Sequence, residues 1–138
     1  MFPMLSQKAM IGPATPILWD YHVILLLTDS PARILDFDTT LPFCSDLRIY
    51  LEQSFPDEST LLPEYVPSFR LIPAAQYIEH FRSDRSHMKT ATGWHAPPPD
   101  WPPIGKGGSN LTAFTNMQGT SHGEIMSRTE LLARYLAI

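Results

Sequence analysis

The sequence predicts an α/β protein of the α+β type, in which a largely antiparallel sheet built from hairpins packs against helices. Segments rich in β-branched and aromatic residues alternate with segments whose apolar residues recur at helical spacing. The strand segments are spaced irregularly and do not fit repeated βαβ units. The 138 residues are enough to bury a core, so we expect a single domain over residues 1–138.

The first part of the chain carries the predicted strands. Residues 4–9 indicate a short strand that ends at turn-prone glycine and proline. Residues 17–27 are rich in aliphatic and aromatic side chains and predict a longer strand, buried on both faces in its second half. A turn follows, and residues 33–38 predict the next strand. We therefore expect a β-hairpin over residues 17–38.

Helical spacing begins after the hairpin. Apolar residues from Leu47 to Phe55 recur at intervals of three and four, which predicts a helix with Ser45 or Asp46 as its N-cap. Residues 74–81 predict a second helix, because their apolar side chains fall on one side.

The remainder is less regular. Residues 69–73 are expected to be extended, and residues 83–109 form a proline-rich segment without a pattern, of a length typical of functional or disordered loops. Residues 111–117 suit one short helix. Ser127 followed by Glu130 is a capping box, which predicts a final helix.

Composition excludes several classes of protein. A net charge of -4 and a pI near 5.6 argue against nucleic-acid binding. The longest apolar run, Val23 to Leu27, is far below the ~20 residues that span a bilayer, and the first residues do not resemble a signal peptide. One cysteine makes neither an internal disulfide nor an all-thiolate zinc site. We expect an intracellular monomer without a membrane segment.

The hairpin brings a histidine near carboxylates. On a strand, Asp20 and His22 share one face, as Asp36 and Asp38 do on the other strand. A turn of about three to five residues places position 36, 37 or 38 opposite His22. A histidine beside an acid is the base half of a nucleophilic triad. The spacing leaves Asp36 and Asp38 both open, and solvated acids beside a surface histidine are the alternative.

Other candidate residues carry weaker signals. Cys44 lies near a predicted helix N-terminus, where a thiolate is favoured, although a free cysteine is usually a small buried hydrophobe. The polar block 83–88 suits either a pocket wall or a solvated linker. His80, His95 and His122 have no metal-like spacing.

Several blocks in order resemble the protein N-terminal glutamine amidohydrolase family. The resemblance covers nearly the whole chain, and the block at 83–88 is its most specific part. The main blocks are Trp19-Asp20-Tyr21-His22-Val23, Asp36-Phe37-Asp38-Thr39, Leu41-Pro42-Phe43, Phe69-Arg70-Leu71-Ile72-Pro73-Ala74 and Ser83-Asp84-Arg85-Ser86-His87-Met88.

The resemblance implies a reaction and a fold. Members are similar to papain-like and transglutaminase-like sandwiches with a Cys–His–Asp triad. They convert an N-terminal glutamine of proteins or peptides to glutamate with release of ammonia, without a cofactor, in an N-degron pathway. By the family motif, the resemblance implies that His22 is the general base and that Asp36, rather than Asp38, is the acid that orients the imidazole. The cytoplasm is the expected location, with the nucleus as a second compartment.

The sequence departs from the family at its start. The family's nucleophilic cysteine lies upstream of the block at Trp19, whereas residues 4–9 here resemble the strand before that block. We therefore expect an N-terminally truncated domain with little or no amidase activity, since Cys44 follows His22 in the wrong order. The alternatives are a degenerate fragment or a non-catalytic binder of N-terminal glutamine, in which Asp20 or Asp84 contacts the α-amino group.

Overall fold

The structure, a computed structural model, describes residues 1–119 and 121–136. The chain forms two compact units. The first is Met1–Phe69 with the C-terminal residues from Met126 onward, and the second is Arg70–Ile125. The single domain expected from the sequence stays a prediction.

Short antiparallel strands build the first unit. β1 pairs with β2, and β3, β4 and β5 form a three-stranded sheet in that order. Their bounds are β1 Phe2–Met4, β2 Ile17–Trp19, β3 Leu25–Leu27, β4 Arg33–Leu35 and β5 Cys44–Asp46. With the helices below, they confirm the α+β class. The strands form several small sheets, where the sequence suggested one larger sheet.

The long strand predicted over residues 17–27 is divided in two. Its first part is β2, which pairs with β1, and its second part is β3, which pairs with β4. Residues 20–24 lie between them outside any strand. The chain changes strand partners there, so the predicted hairpin is formed only by its inner part, β3 and β4.

Helix α1 (Leu47–Ser54) follows β5 directly and confirms the predicted helix. Asp46 caps it, because its carboxylate accepts hydrogen bonds from the N–H groups of Arg48 at 2.9 Å and Ile49 at 3.2 Å. One face of α1 is buried, at the spacing that a helix packing on one side requires. The buried residues are Leu47, Tyr50, Leu51 and Ser54.

The last helix, α4 (Arg128–Leu136), begins at the predicted capping box. Ser127 Oγ accepts from the N–H of Glu130 at 3.2 Å, and Glu130 Oε2 accepts from the N–H of Ser127 at 2.7 Å. Arg128 also donates to the carbonyl of Pro56 at 3.3 Å. The two bonds between Ser127 and Glu130 satisfy backbone N–H groups that the start of a helix leaves unpaired.

Aromatic and aliphatic side chains form the core of the first unit. Met4, Leu47 and Tyr50 have no exposed surface. Phe55 packs edge-to-face on Tyr50, with ring centroids 6.4 Å apart, and on Phe69 at 5.5 Å. Helix α1 also contacts β4 and β5, and β4 ends one residue before Asp36.

The second unit contains short elements around a small aromatic cluster. Phe114 contacts Phe81 edge-to-face at 5.2 Å and Tyr77 at 5.9 Å. The segment predicted as irregular, residues 83–109, contains only a short hairpin and a 3-10 turn. Its elements are β6 Phe69–Leu71, α2 Ala74–His80, β7 Lys89–Thr90, β8 Gly93–Trp94, α3 Leu111–Thr115 and β9 Glu124–Met126. One residue of β6 and one residue of β9 are counted in the first unit.

Arg70 organises one side of the second unit. Its guanidinium donates to the carbonyl oxygens of Phe114 at 2.9 Å, His122 at 2.5 Å and Gly119 at 3.1 Å, and also to that of Asn116. One side chain thus satisfies one carbonyl of α3 and three carbonyls after it, because the guanidinium carries five N–H donors. Among the described residues, no helix is long and apolar enough to cross a membrane.

Candidate active site

The register of the β3–β4 pair brings His22 toward the end of β4. Leu25 pairs with Leu35, and each step back along β3 matches one step forward along β4. His22, Asp36 and Asp38 lie beyond the ends of these paired residues, outside any strand. One ring nitrogen of His22 and one oxygen of each carboxylate nevertheless lie within 4.8 Å of one another, so both carboxylates are near the imidazole.

His22 and Asp36 form a buried pair. Nε2 of His22 lies 3.1 Å from Oδ1 of Asp36, and the two side chains are 7% and 1% exposed. The indole of Trp19 stacks on the imidazole, with ring centroids 4.9 Å apart and an interplanar angle of 26°. The Nε2–Oδ1 distance is that of an ion pair, although the ring N–H is not aligned for a hydrogen bond. The pair is thus shielded from water and held by its surroundings.

Two further hydrogen bonds hold the Asp36 carboxylate. Tyr50 donates its hydroxyl to Oδ2 at 2.8 Å, and the N–H of Asp38 donates to Oδ1 at 2.9 Å. Burial acts to raise the pKa of Asp36, but the bonds from Asp38 and Tyr50, together with His22, outweigh it and hold that pKa below its usual value. Burial, with the nearby Asp36, also raises the pKa of Tyr50 strongly, so Tyr50 remains a donor.

The segment after Asp36 is anchored to the N-terminal part of the chain. The N–H of Lys8 donates to the carbonyl of Asp38 at 2.7 Å, and the N–H of Thr40 donates to that of Ser6 at 2.7 Å. Lys8 Nζ donates to the carbonyl of Phe37 at 2.6 Å. These bonds leave the Asp38 side chain exposed while Asp36 is buried beside His22.

Cys44 lies away from this pair. It is exposed and pairs with Leu35 across the β4–β5 ladder. Paired residues share a face and successive residues alternate, so Cys44 and Asp36 project to opposite faces of the sheet. The contact of Cys44 is with Arg33, whose Nη1 lies 4.0 Å from Sγ.

The other sequence candidates are described within their own units. Asp20 is exposed. Asp84 belongs to the second unit, where its carboxylate accepts from the N–H of Ser86 at 2.9 Å. His80 and His122 are also in that unit, with ring centroids 5.9 Å apart.

Tyr50 is the site residue that sequence reasoning missed. Helical spacing identified it as a core residue, which it is, but its hydroxyl also reaches Asp36. A tyrosine on the buried face of a helix needs a partner for its hydroxyl, and this need was the available signal.

The geometry is suited to proton transfer. With Nε2 facing Asp36, Nδ1 is the ring nitrogen left to accept a proton from a nucleophile or water. A buried, hydrogen-bonded carboxylate favours one ring orientation and stabilises a positive charge on the imidazole.

Comparison with known proteins identifies relatives over most of the chain. A family model described as N-terminal glutamine amidase matches residues 1–135. The chain is 39% identical to the protein N-terminal glutamine amidohydrolase of Bos taurus and 38% identical to that of Homo sapiens. Each alignment covers 98% of this chain and 68% of the relative. The Drosophila ananassae protein of the same name is 44% identical over 74% of this chain and 51% of its own length.

Proposed function

The chain belongs to the N-terminal glutamine amidase family, and from this premise we propose that His22 and Asp36 are the base half of a thiol amidohydrolase centre. The reaction converts the side-chain amide of an N-terminal glutamine to a carboxylate and releases ammonia. The observation that carries the proposal is the buried pair, with Nε2 of His22 3.1 Å from Oδ1 of Asp36.

The proposed mechanism has two halves. In the first, Nδ1 of His22 takes the proton of a thiol, and the thiolate attacks the amide carbon of the substrate. The tetrahedral intermediate collapses, His22 returns the proton to the departing nitrogen, and ammonia leaves a thioester. In the second half, His22 takes a proton from water as the oxygen attacks the thioester carbon. The carbon–sulfur bond then breaks, the glutamate side chain is released, and His22 returns the proton to the thiolate. Asp36 holds the imidazole and stabilises its charged form throughout.

We do not assign the nucleophile to Cys44. The family pattern has its thiol upstream of the block at Trp19, and the side chain of Cys44 projects to the face opposite that of Asp36. The 138-residue polypeptide by itself should therefore release little or no ammonia from a Gln-initiated peptide. Turnover that disappears in Cys44→Ser would contradict this assignment.

The roles of His22 and Asp36 are tested by providing the polypeptide with a nucleophilic thiol. An N-terminal segment carrying the family's cysteine is fused ahead of Met1, and conversion of a Gln-initiated peptide to its Glu form is followed by mass spectrometry. We expect turnover, and we expect His22→Ala and Asp36→Asn each to lower kcat by at least about 100-fold. His80→Ala and Asp100→Asn are the matched controls outside the site. Turnover that survives both site variants would refute the proposal.

A second candidate is a non-catalytic binder of N-terminal glutamine. The position of Cys44 favours it, since the polypeptide keeps the buried pair without a thiol on the same face. The α-amino group of the peptide needs an acidic partner, and Asp20, which lies in the same unit as the buried pair, can serve. Calorimetry should then show a Gln-initiated peptide binding without turnover, and its N-acetylated form not binding.

The family reaction also suggests a biological setting. An N-terminal glutamate is the product that an N-degron pathway recognises, so proteins or peptides that begin with glutamine are the proposed substrates. We propose a monomer that acts in the cytoplasm and the nucleus. Fractionation of cells and light scattering of the purified protein test these points directly.

A further inference from the structure

We propose that His22, Asp36 and Asp38 bind a zinc ion, and that the bound ion prevents His22 from acting as a general base with Asp36. The three residues offer one imidazole nitrogen and two carboxylate oxygens, all within 4.8 Å of one another. This donor set is one that zinc accepts, with a water molecule as a fourth ligand. The metal site does not depend on the proposed function, whereas its inhibitory effect does.

The distances suit a tetrahedral ion. Zinc lies about 2.0–2.2 Å from nitrogen and carboxylate oxygen, so two ligand atoms of one tetrahedron are about 3.3 Å apart. Nε2 of His22 and Oδ1 of Asp36 are already 3.1 Å apart. Asp38 is exposed, so its side chain can rotate to complete the set. Little rearrangement of the buried part is therefore required.

A second observation points to a ligand at this place. The His22 side chain is only 7% exposed, and its Nε2 contacts Asp36 Oδ1 at 3.1 Å without a hydrogen bond of good geometry. A buried polar nitrogen is normally satisfied, and a metal ion on the side of the two carboxylates would satisfy it.

The surroundings already orient the ligands. Tyr50 donates to Oδ2 of Asp36, which leaves Oδ1 facing His22. Such outer hydrogen bonds fix the ligands of zinc sites and typically contribute about 10–100-fold to metal affinity. Magnesium prefers oxygen ligands and octahedral geometry, so the imidazole favours zinc.

Inhibition follows from the ligands involved. A zinc ion bound to Nε2 of His22 and to Oδ1 of Asp36 breaks the direct contact between the two side chains. Asp36 could then neither hold the imidazole in the orientation for proton transfer nor stabilise its charged form.

The test is calorimetric titration of zinc chloride into the 138-residue polypeptide carrying Cys44→Ser, which removes a competing thiol. We expect one site and a melting temperature that rises with zinc but not with magnesium. Asp38→Asn should weaken zinc binding at least about tenfold, since it removes a ligand at an exposed position. His22→Ala should abolish binding. Asp100→Asn, which removes the same charge elsewhere, should bind as the parent does.

The opposing results are equally clear. Equal affinity for zinc in the parent, Asp38→Asn and His22→Ala would overturn the site. Zinc binding that is lost only in His80→Ala would also overturn it, because the ion would then be bound adventitiously at His80 and His122. The melting temperature of each variant without zinc shows whether it is folded. Loss of zinc binding in a folded Asp38→Asn protein supports the site even if the fused enzyme has no turnover.

Discussion

At the scale of single residues, the environment of Asp36 decides what the site can do. Its carboxylate is buried yet charged, because Tyr50 and the N–H of Asp38 donate to it. A buried carboxylate without such donors would be neutral and could not stabilise a charged imidazole. The charged state of Asp36 beside His22 therefore depends on Tyr50 of helix α1.

This environment predicts a pH dependence of stability. The pKa of Asp36 in the folded protein is below the usual unfolded value of about 3.9. The Asp36 carboxylate therefore contributes its full amount to the free energy of unfolding when the pH is above the unfolded pKa. This contribution is lost as the pH falls through the lower pKa of the folded state. Urea unfolding at successive pH values should show that stability falls less steeply below about pH 4 in Asp36→Asn than in the wild type.

The matched control for that experiment is Asp100→Asn, which removes an exposed carboxylate. It should follow the wild-type pH profile. Parallel profiles for the wild type and Asp36→Asn would show that the buried carboxylate does not contribute in this way.

At the scale of elements, helix ends are set by local hydrogen bonds. The capping box at Ser127 and Glu130 stabilises the first turn of α4. Ser127→Ala removes the side-chain acceptor for the N–H of Glu130, and we expect it to lower the free energy of unfolding by about 0.5–2 kcal/mol. Urea denaturation measures this loss. Ser121→Ala, at an exposed position, is the control, and an equal loss in both variants would contradict the role of the cap.

At the scale of the whole molecule, apolar side chains remain on the surface of the first unit. Phe37 is 79% exposed, Val23 58% and Phe43 46%, and the rings of Phe37 and Phe43 are 4.8 Å apart. Exposed apolar groups of this kind mark interaction surfaces or limit stability.

We accordingly expect the 138-residue polypeptide to bind a hydrophobic dye and to melt at a low temperature. Phe37→Ser should reduce the dye signal without lowering the melting temperature, because the side chain is largely exposed. Fluorescence titration and thermal melting measure both quantities. A sharp melt at high temperature without dye binding would show that this apolar surface has no such effect.

The sequence by itself determined the features that depend on local patterns. The period of apolar residues located helix α1, the capping box located the start of α4, and the two neighbouring strand segments predicted that a carboxylate lies close to His22. These signals act over a few residues, so they can be read along the chain.

Tertiary structure decided the rest. It buried Asp36 and left Asp38 exposed, brought the hydroxyl of Tyr50 to the carboxylate, and directed Cys44 to the other face. It also divided the predicted strand at residues 20–24, because β2 and β3 pair with different partners. Burial and hydrogen bonding between residues far apart in the chain govern these outcomes, and local periodicity carries no information about them.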